Sequence, residues 1–235
     1  MKRSKPLVLA LCAILLVVGT ILGTVAYLQD TASVVNTFTV GNVHLKLDEA
    51  VVDEKGEPTG GRTETGNAYH LLPGETYTKD PTVTVLKGSE ESYVRMVVTL
   101  NKATALKEIF TDLQAKYPDD FASGFLPQEH TGDTWNSEKW PCFSMAEDTE
   151  NDTFVLEFRY PETVTPAQDE DLELEPLFEK IVIPGQLNND HLAKLEGFTI
   201  DVQGHAIQAL GFDTADDAWA AFDAQTEAES GVVTP

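Results

Sequence analysis

Apolar and polar residues alternate along several short stretches of the chain, and this spacing predicts β-strands. The clearest stretch is 94–100, where every second residue is apolar, and residues 154–160 repeat the pattern. Successive side chains of a strand point to opposite faces, so each stretch buries one face. Weaker alternation predicts further strands at 38–47, 83–85, 181–183 and 198–207.

Two segments change to a helical period. Apolar residues recur three and four positions apart from Leu106 to Leu113, which predicts an amphipathic helix ending before Pro118. Near the C-terminus, Thr214 is followed three residues later by Asp217, a pattern resembling a capping box. The helix opened there is expected to turn Trp219 towards the protein interior.

About seven to nine short strands, with helices only as insertions, predict a mainly β fold. The strands are separated by long stretches, so a jelly-roll or Greek-key β-sandwich fits better than a meander. We expect one domain over 27–226, with a variable helical and loop insertion at about 103–150 and a polar tail at 227–235. Residues 53–68 are polar and Gly-rich, which predicts a surface loop.

The N-terminus has the features of a secretory signal. Three basic residues precede an uncharged run of 22 residues, 7–28, and small residues lie near its end. The small-x-small pattern at Thr24 and Ala26 predicts a signal peptide of residues 1–26 and makes Tyr27 the first mature residue. If cleavage fails, the run is long enough to anchor the chain in a membrane.

The chain is strongly acidic. It has 16 basic and 39 acidic residues, a formal net charge of −23. Removal of residues 1–26 takes away three basic residues and no acid, so the mature charge is 13 minus 39, or −26. Such a surface repels phosphate backbones, which argues against nucleic-acid binding.

Several motifs together resemble one family. The signal ends in a stretch, 22–30 (LGTVAYLQD), similar to sites of the SipW-type alternative signal peptidase, and 35–41 (VNTFTVG) resembles the first strand of its substrates. Residues 72–75, 79–83, 93–96 and 202–209 also match, as does Ala218-Trp219. The chain thus resembles the TasA/camelysin group of exported Gram-positive proteins over 1–100 and 152–222.

The resemblance implies a jelly-roll protein of the extracellular matrix or cell surface, processed by a signal peptidase and able to assemble with itself or other matrix proteins into fibres. An adhesin-like binding module that does not polymerise is the alternative. Camelysin members are also classed as metallopeptidases. This chain has no HExxH motif, and its five histidines are isolated in sequence, so we expect no enzyme. His44 and His205 lie in expected strands and could meet across the sandwich.

No cofactor is expected, with calcium as the one candidate. Asp148, Glu150 and Asp152 offer oxygen ligands at alternate positions, but Thr153 replaces the usual glycine and Arg159 the final glutamate. Solvated acidic loops are the simpler interpretation. If calcium binds, it would screen the negative charge and promote self-association.

The lone mature cysteine and the large aromatic residues are given structural roles. Cys142 has no partner for a disulfide once residues 1–26 are removed, and we expect a small buried side chain. An intermolecular disulfide is the alternative.

Trp135, Trp140 and Phe143 lie in a loop-rich stretch and are expected to anchor it to the core, rather than to stack on a glycan.

The start of the mature chain is the candidate assembly strand. Its residues Tyr27, Val34, Phe38 and Val40 could add to the sheet edge of a second copy, giving an open, head-to-tail filament. Pairing of this segment within its own sheet is an equal alternative.

Overall fold

The computed structural model describes residues 42–117 and 135–230, with side chains described up to residue 226. These residues form ten strands and three helices. The strands are β1 (Leu45–Val52), β2 (Pro58–Thr63), β3 (Thr76–Thr78), β4 (Thr82–Val85), β5 (Ser92–Asn101), β6 (Cys142–Asp148), β7 (Thr153–Arg159), β8 (Leu172–Glu173), β9 (Lys180–Val182) and β10 (Ile200–Gln208). The helices are α1 (Ala103–Lys116), α2 (Asn189–Lys194) and α3 (Ala215–Ser230).

Two four-stranded antiparallel sheets form a β-sandwich, which confirms the expected fold. Sheet I has the order β2-β1-β4-β8 and sheet II the order β10-β5-β7-β6. A two-stranded sheet, β3-β9, completes the set. Neighbours such as β1 and β4, or β5 and β10, are distant in sequence, as Greek-key or jelly-roll connections require and a meander does not.

The core lies between the sheets and is built from the alternating residues. On β5, Val94, Met96, Val98 and Leu100 are all buried, and on β7 the buried residues are Phe154, Leu156 and Phe158. A glycine brings the two sheets together: a Cβ at Gly204 of β10 would lie 3.2 Å from Val83 of β4 and 3.4 Å from Leu45 of β1. The strand pattern therefore identified the correct inward face of both long strands.

Helix α1 covers one end of the core. Leu106, Ile109 and Leu113 are buried, as the helical spacing predicts, and the helix ends before Pro118. Its first turn is fixed from outside the helix, because the carboxylate of Asp152 accepts the Thr104 N–H at 2.8 Å. No helix in the two described ranges is both long enough and apolar enough to span a membrane.

Three local predictions are wrong. Residues 53–68, expected to be a loop, contain β2, and the loop-rich stretch before residue 150 contains β6. Both strands are almost entirely exposed, so neither shows the alternation that a buried face imposes. Strand β1 begins at Leu45, so His44 lies just before the strand in which we expected it.

Candidate functional site

All residues of the predicted export and assembly sites lie outside the described part of the chain. This holds for the cleavage residues Thr24, Ala26 and Tyr27, and for the assembly-strand residues Val34, Phe38 and Val40. Their roles stay predictions.

The candidate calcium residues lie in the hairpin between β6 and β7. Asp148 Oδ1 accepts the N–H groups of Glu150 and Asn151 at 3.0 and 3.1 Å, so this carboxylate shapes the turn. Asp152 has a left-handed backbone with φ of 53° and caps α1. The Asn151 side-chain amide, which donates to Asp148 Oδ2 at 2.7 Å, and then the backbone N–H groups lower the pKa of Asp148, and the hydrogen bond from Thr104 lowers the pKa of Asp152. In the described ranges, no three His, Cys, Asp or Glu side chains are grouped as metal ligands.

His44 and His205 do not share a site. His205 belongs to β10, where it is paired with Arg95, while its neighbour Gly204 faces sheet I. Because adjacent strand residues point to opposite faces, His205 lies on the outer face of sheet II, away from the core. The possibility that the two histidines meet across the sandwich is therefore excluded.

The stretch before residue 150 divides into buried and exposed aromatic residues. Trp140 is 1% exposed and its indole N–H donates to the Glu175 carbonyl at 2.8 Å. Trp135 is half-buried and stacks on Phe158 with ring centroids 5.2 Å apart. Phe143, in contrast, is 55% exposed, so its predicted anchoring role is wrong.

Cys142 is also exposed, contrary to the buried position expected for it. It begins β6, the last strand of sheet II in the described chain, and its thiol donates to the Ser144 carbonyl at 3.5 Å. Next to it, the Arg159 guanidinium lies 3.3 Å from the centre of the Phe143 ring, on which it stacks. Almost every residue of β6 is exposed, on both faces of the strand, so its apolar residues do not pack into the core.

A cluster of charged residues lies where β1 meets the segments following β2 and β3. Lys79 Nζ lies 2.5 Å from Glu49 Oε2, and both residues are buried, at 7% and 5% exposed. The side-chain amide of Asn67 donates to the other carboxylate oxygen, Glu49 Oε1, at 2.8 Å. Glu49 therefore holds an amine and an amide together. We call these three residues the Glu49 triad.

A second set of charges lies beside the triad and is separate from it. Arg62 of β2 donates to Asp48 Oδ1 at 2.5 Å and to Asp80 Oδ2 at 2.7 Å. Lys46 also pairs with Asp48. Asp48 and Glu49 are consecutive on β1 and point to opposite faces, so Arg62 satisfies one carboxylate and Lys79 the other.

On the outer face of sheet II, Arg95 joins β5 to α3. It is 5% exposed, and its guanidinium lies 4.5 Å from the centre of the Trp219 ring. Arg95 Nη2 donates to Asp223 Oδ1 at 2.5 Å, and Arg95 Nε donates to His205 Nδ1 at 3.2 Å. His205 must therefore be neutral at Nδ1. Burial, and then the positive charge of Arg95, lower the pKa of His205.

Sequence reasoning missed both buried clusters. The Glu49 triad joins positions 49, 67 and 79, which no motif spacing connects, and Lys79 enters the sequence resemblance only as part of 79–83. For Arg95, one signal was available: in the alternating strand 94–100, position 95 faces away from the core, but only the structure shows that α3 covers it.

Comparison with protein-family models, with curated proteins and with solved structures finds no match to this chain.

Proposed function

We propose that this chain is a secreted structural protein of the extracellular matrix or cell surface, and that copies of it associate through the edge of sheet II formed by β6. Two features support the proposal: the N-terminal residues have the pattern of a secretory signal, and the described residues form a β-sandwich. The observation that carries it is the exposure of β6, which is seven residues long and exposed over almost its whole length.

An edge strand of this kind offers backbone donors and acceptors to another chain. Proteins that stay monomeric usually protect such edges with lysine, proline or a cover. The first five residues of β6, Cys142–Ala146, include neither lysine nor proline, and they include the exposed Phe143. The candidate partner is the mature N-terminus of a second copy, residues 27–40, which has apolar residues at alternate positions near its end.

Charge sets the conditions for association. A mature chain of charge −26 repels its own copies, so assembly requires screening. At about 0.15 M salt the screening length is roughly 8 Å, which leaves close charges unscreened. Divalent cations would screen more strongly, so we expect calcium to promote filaments whether or not it occupies a defined site.

The test is electron microscopy of the secreted protein, after mass spectrometry has fixed its N-terminus. We expect a Tyr27 terminus and filaments that increase with added calcium. Deletion of residues 27–36 should abolish filaments and leave the thermal unfolding transition unchanged. Persistent monomers at all calcium concentrations would contradict the proposal, and filaments after the deletion would rule out the N-terminal strand as donor.

A point substitution tests the acceptor edge itself. Phe143→Lys places a charge on β6, so we expect it to reduce filament formation. Leu210→Lys is the matched control, because Leu210 is 82% exposed and lies after β10, away from β6. Equal effects of the two substitutions would show that added charge, rather than the β6 edge, is responsible.

A further inference from the structure

The Glu49 triad places a lysine amine and an asparagine amide on the two oxygens of one carboxylate. Glu49 and Lys79 are each more than nine-tenths buried, and their contact is 2.5 Å. The same carboxylate accepts the Asn67 amide at 2.8 Å. A nucleophile and a proton carrier are therefore buried together, and the electrophile, the half-buried Asn67, is bound to the same carboxylate.

We propose that Lys79 and Asn67 become joined by an intramolecular isopeptide bond, with Glu49 as the proton carrier. This modification is independent of the proposed assembly. No cofactor and no outside reactant is needed, because one amide replaces another.

The atoms and charges balance as follows. Lys79 passes a proton from Nζ to Glu49, and the neutral amine attacks Asn67 Cγ, forming the new C–N bond. A second Nζ proton leaves through Glu49, which protonates Asn67 Nδ2 as the Cγ–Nδ2 bond breaks. Ammonia departs, and the remaining proton stays on Glu49. The charged pair of Lys79 and Glu49 thus becomes a neutral amide and a neutral carboxyl.

The groups around Asn67 favour both the attack of the Lys79 amine and the departure of ammonia. The Val52 N–H donates to Asn67 Oδ1 at 3.1 Å, where negative charge develops as the amine adds. Asn67 Nδ2 also donates to the Ala50 carbonyl at 2.8 Å, so the amide plane is fixed. Because Lys79 and Asn67 are both held by the Glu49 carboxylate, less freedom has to be lost to bring the amine to Asn67 Cγ than if the two side chains were free.

The reaction is favoured because it removes the buried charges of Lys79 and Glu49. A buried ion pair loses much of its attraction to the cost of leaving water. The amide and the carboxyl carry no net charge, and the released ammonia escapes to solvent. Lys46, the nearest alternative amine on β1, is excluded by geometry, since it is exposed and pairs with Asp48.

Peptide mass spectrometry of the secreted full-length mature protein tests the proposal. Both joined residues lie in the tryptic peptide 63–79, and a linked Lys79 resists trypsin. We therefore expect a peptide of residues 63–87 that lacks one ammonia. Cleavage after Glu75 should leave its two halves joined. A folded wild-type protein with its full sequence mass and normal cleavage after Lys79 would overturn the proposal.

Three substitutions separate the roles of the triad. Lys79→Arg keeps the ion pair, Asn67→Ser removes the electrophile, and Glu49→Gln keeps the shape without a proton acceptor. Each should have its full sequence mass, whereas the control Lys46→Arg should still lose one ammonia. Ammonia loss that persists in Lys79→Arg would instead indicate cyclisation of an asparagine and would contradict the isopeptide bond. Circular dichroism shows whether each variant is folded. If a variant does not fold, the mass of the wild-type peptide 63–87 is the test of the isopeptide bond.

Discussion

Arg95 and Asp223 are 128 residues apart in sequence, yet the guanidinium of the first donates to the carboxylate of the second at 2.5 Å. Arg95 lies on β5, an inner strand of sheet II, and Asp223 on the C-terminal helix. The hydrogen bond holds the pKa of Asp223 below its usual range. The contact fastens α3 to the sheet, and the rings of Trp219 and Phe222 pack against the same guanidinium.

The packing of α3 should contribute strongly to stability. Trp219 is 1% exposed, so Trp219→Ala removes a large buried ring as well as its contact with Arg95. We expect the free energy of unfolding to fall by about 3–5 kcal/mol. Urea unfolding followed by circular dichroism measures this change. Gln225→Ala, at an exposed position of α3, is the control and should change little; a similar loss in both would show that burial of the Trp219 ring is not the cause.

Stability should depend on pH through His205. Its pKa is lowered in the folded protein, while the unfolded histidine gains its proton near pH 6.5. Below that pH the unfolded state binds more protons, so the contribution is complete above about pH 6.5 and is lost as the pH falls. The lowered pKa of Asp223 also contributes stability, but this contribution is lost only at lower pH, as the pH falls below the ordinary range of carboxylate pKa values.

The measurement is the urea midpoint at pH 7 and at pH 5. His205→Gln keeps an oxygen that can accept from Arg95 but cannot titrate, so this variant should lose less stability between the two pH values than the wild type. An equal loss in both proteins would show that carboxylates, rather than His205, cause the dependence.

Two glycines with left-handed backbones should respond differently to substitution. Gly56 and Gly60 have φ of 78° and 93°. A Cβ at Gly56 would lie 2.6 Å from the Tyr77 ring, whereas one at Gly60 would meet nothing within 4 Å. Gly60→Ala should cost about 1–2 kcal/mol from backbone strain alone. Gly56→Ala should cost about 1–3 kcal/mol more, from crowding. Thermal unfolding compares them, and equal losses would contradict the close approach of Tyr77.

The thiol of Cys142 should be accessible but slow to react. Cys142 is exposed, while partial burial raises the pKa of its thiol, so less thiolate is present at neutral pH. We expect complete modification of Cys142 by a maleimide at pH 7 in a native protein produced from Tyr27 onwards, at a lower rate than in urea. Cys142→Ser controls for other reactive groups. A thiol that reacts only after unfolding would show that Cys142 is enclosed.

The long strands and the helices could be predicted because each has one buried face. Burial restricts alternate residues in β5 and β7, and every third or fourth residue in α1, to apolar types. The capping residue Thr214 was visible for a similar reason: its hydroxyl accepts the Asp217 N–H at 3.2 Å, a local contact between neighbours in sequence.

Strands β2 and β6 carried no such signal. They are held by backbone hydrogen bonds to β1 and β7, and these bonds place no requirement on side-chain type. For the same reason Cys142 and Phe143 looked like core residues: the sequence shows that they are apolar, but not that their strand lies at an edge.

The sequence by itself determined the strand-rich fold, the acidic surface and the positions of α1 and α3, because these follow from local periodicity and composition. Only the tertiary structure decided which polar groups meet. Glu49, Asn67 and Lys79 come together through strand pairing, and Arg95 reaches Asp223 through the return of the C-terminal helix. Such contacts depend on how distant segments cross, and no local spacing of residues records that crossing.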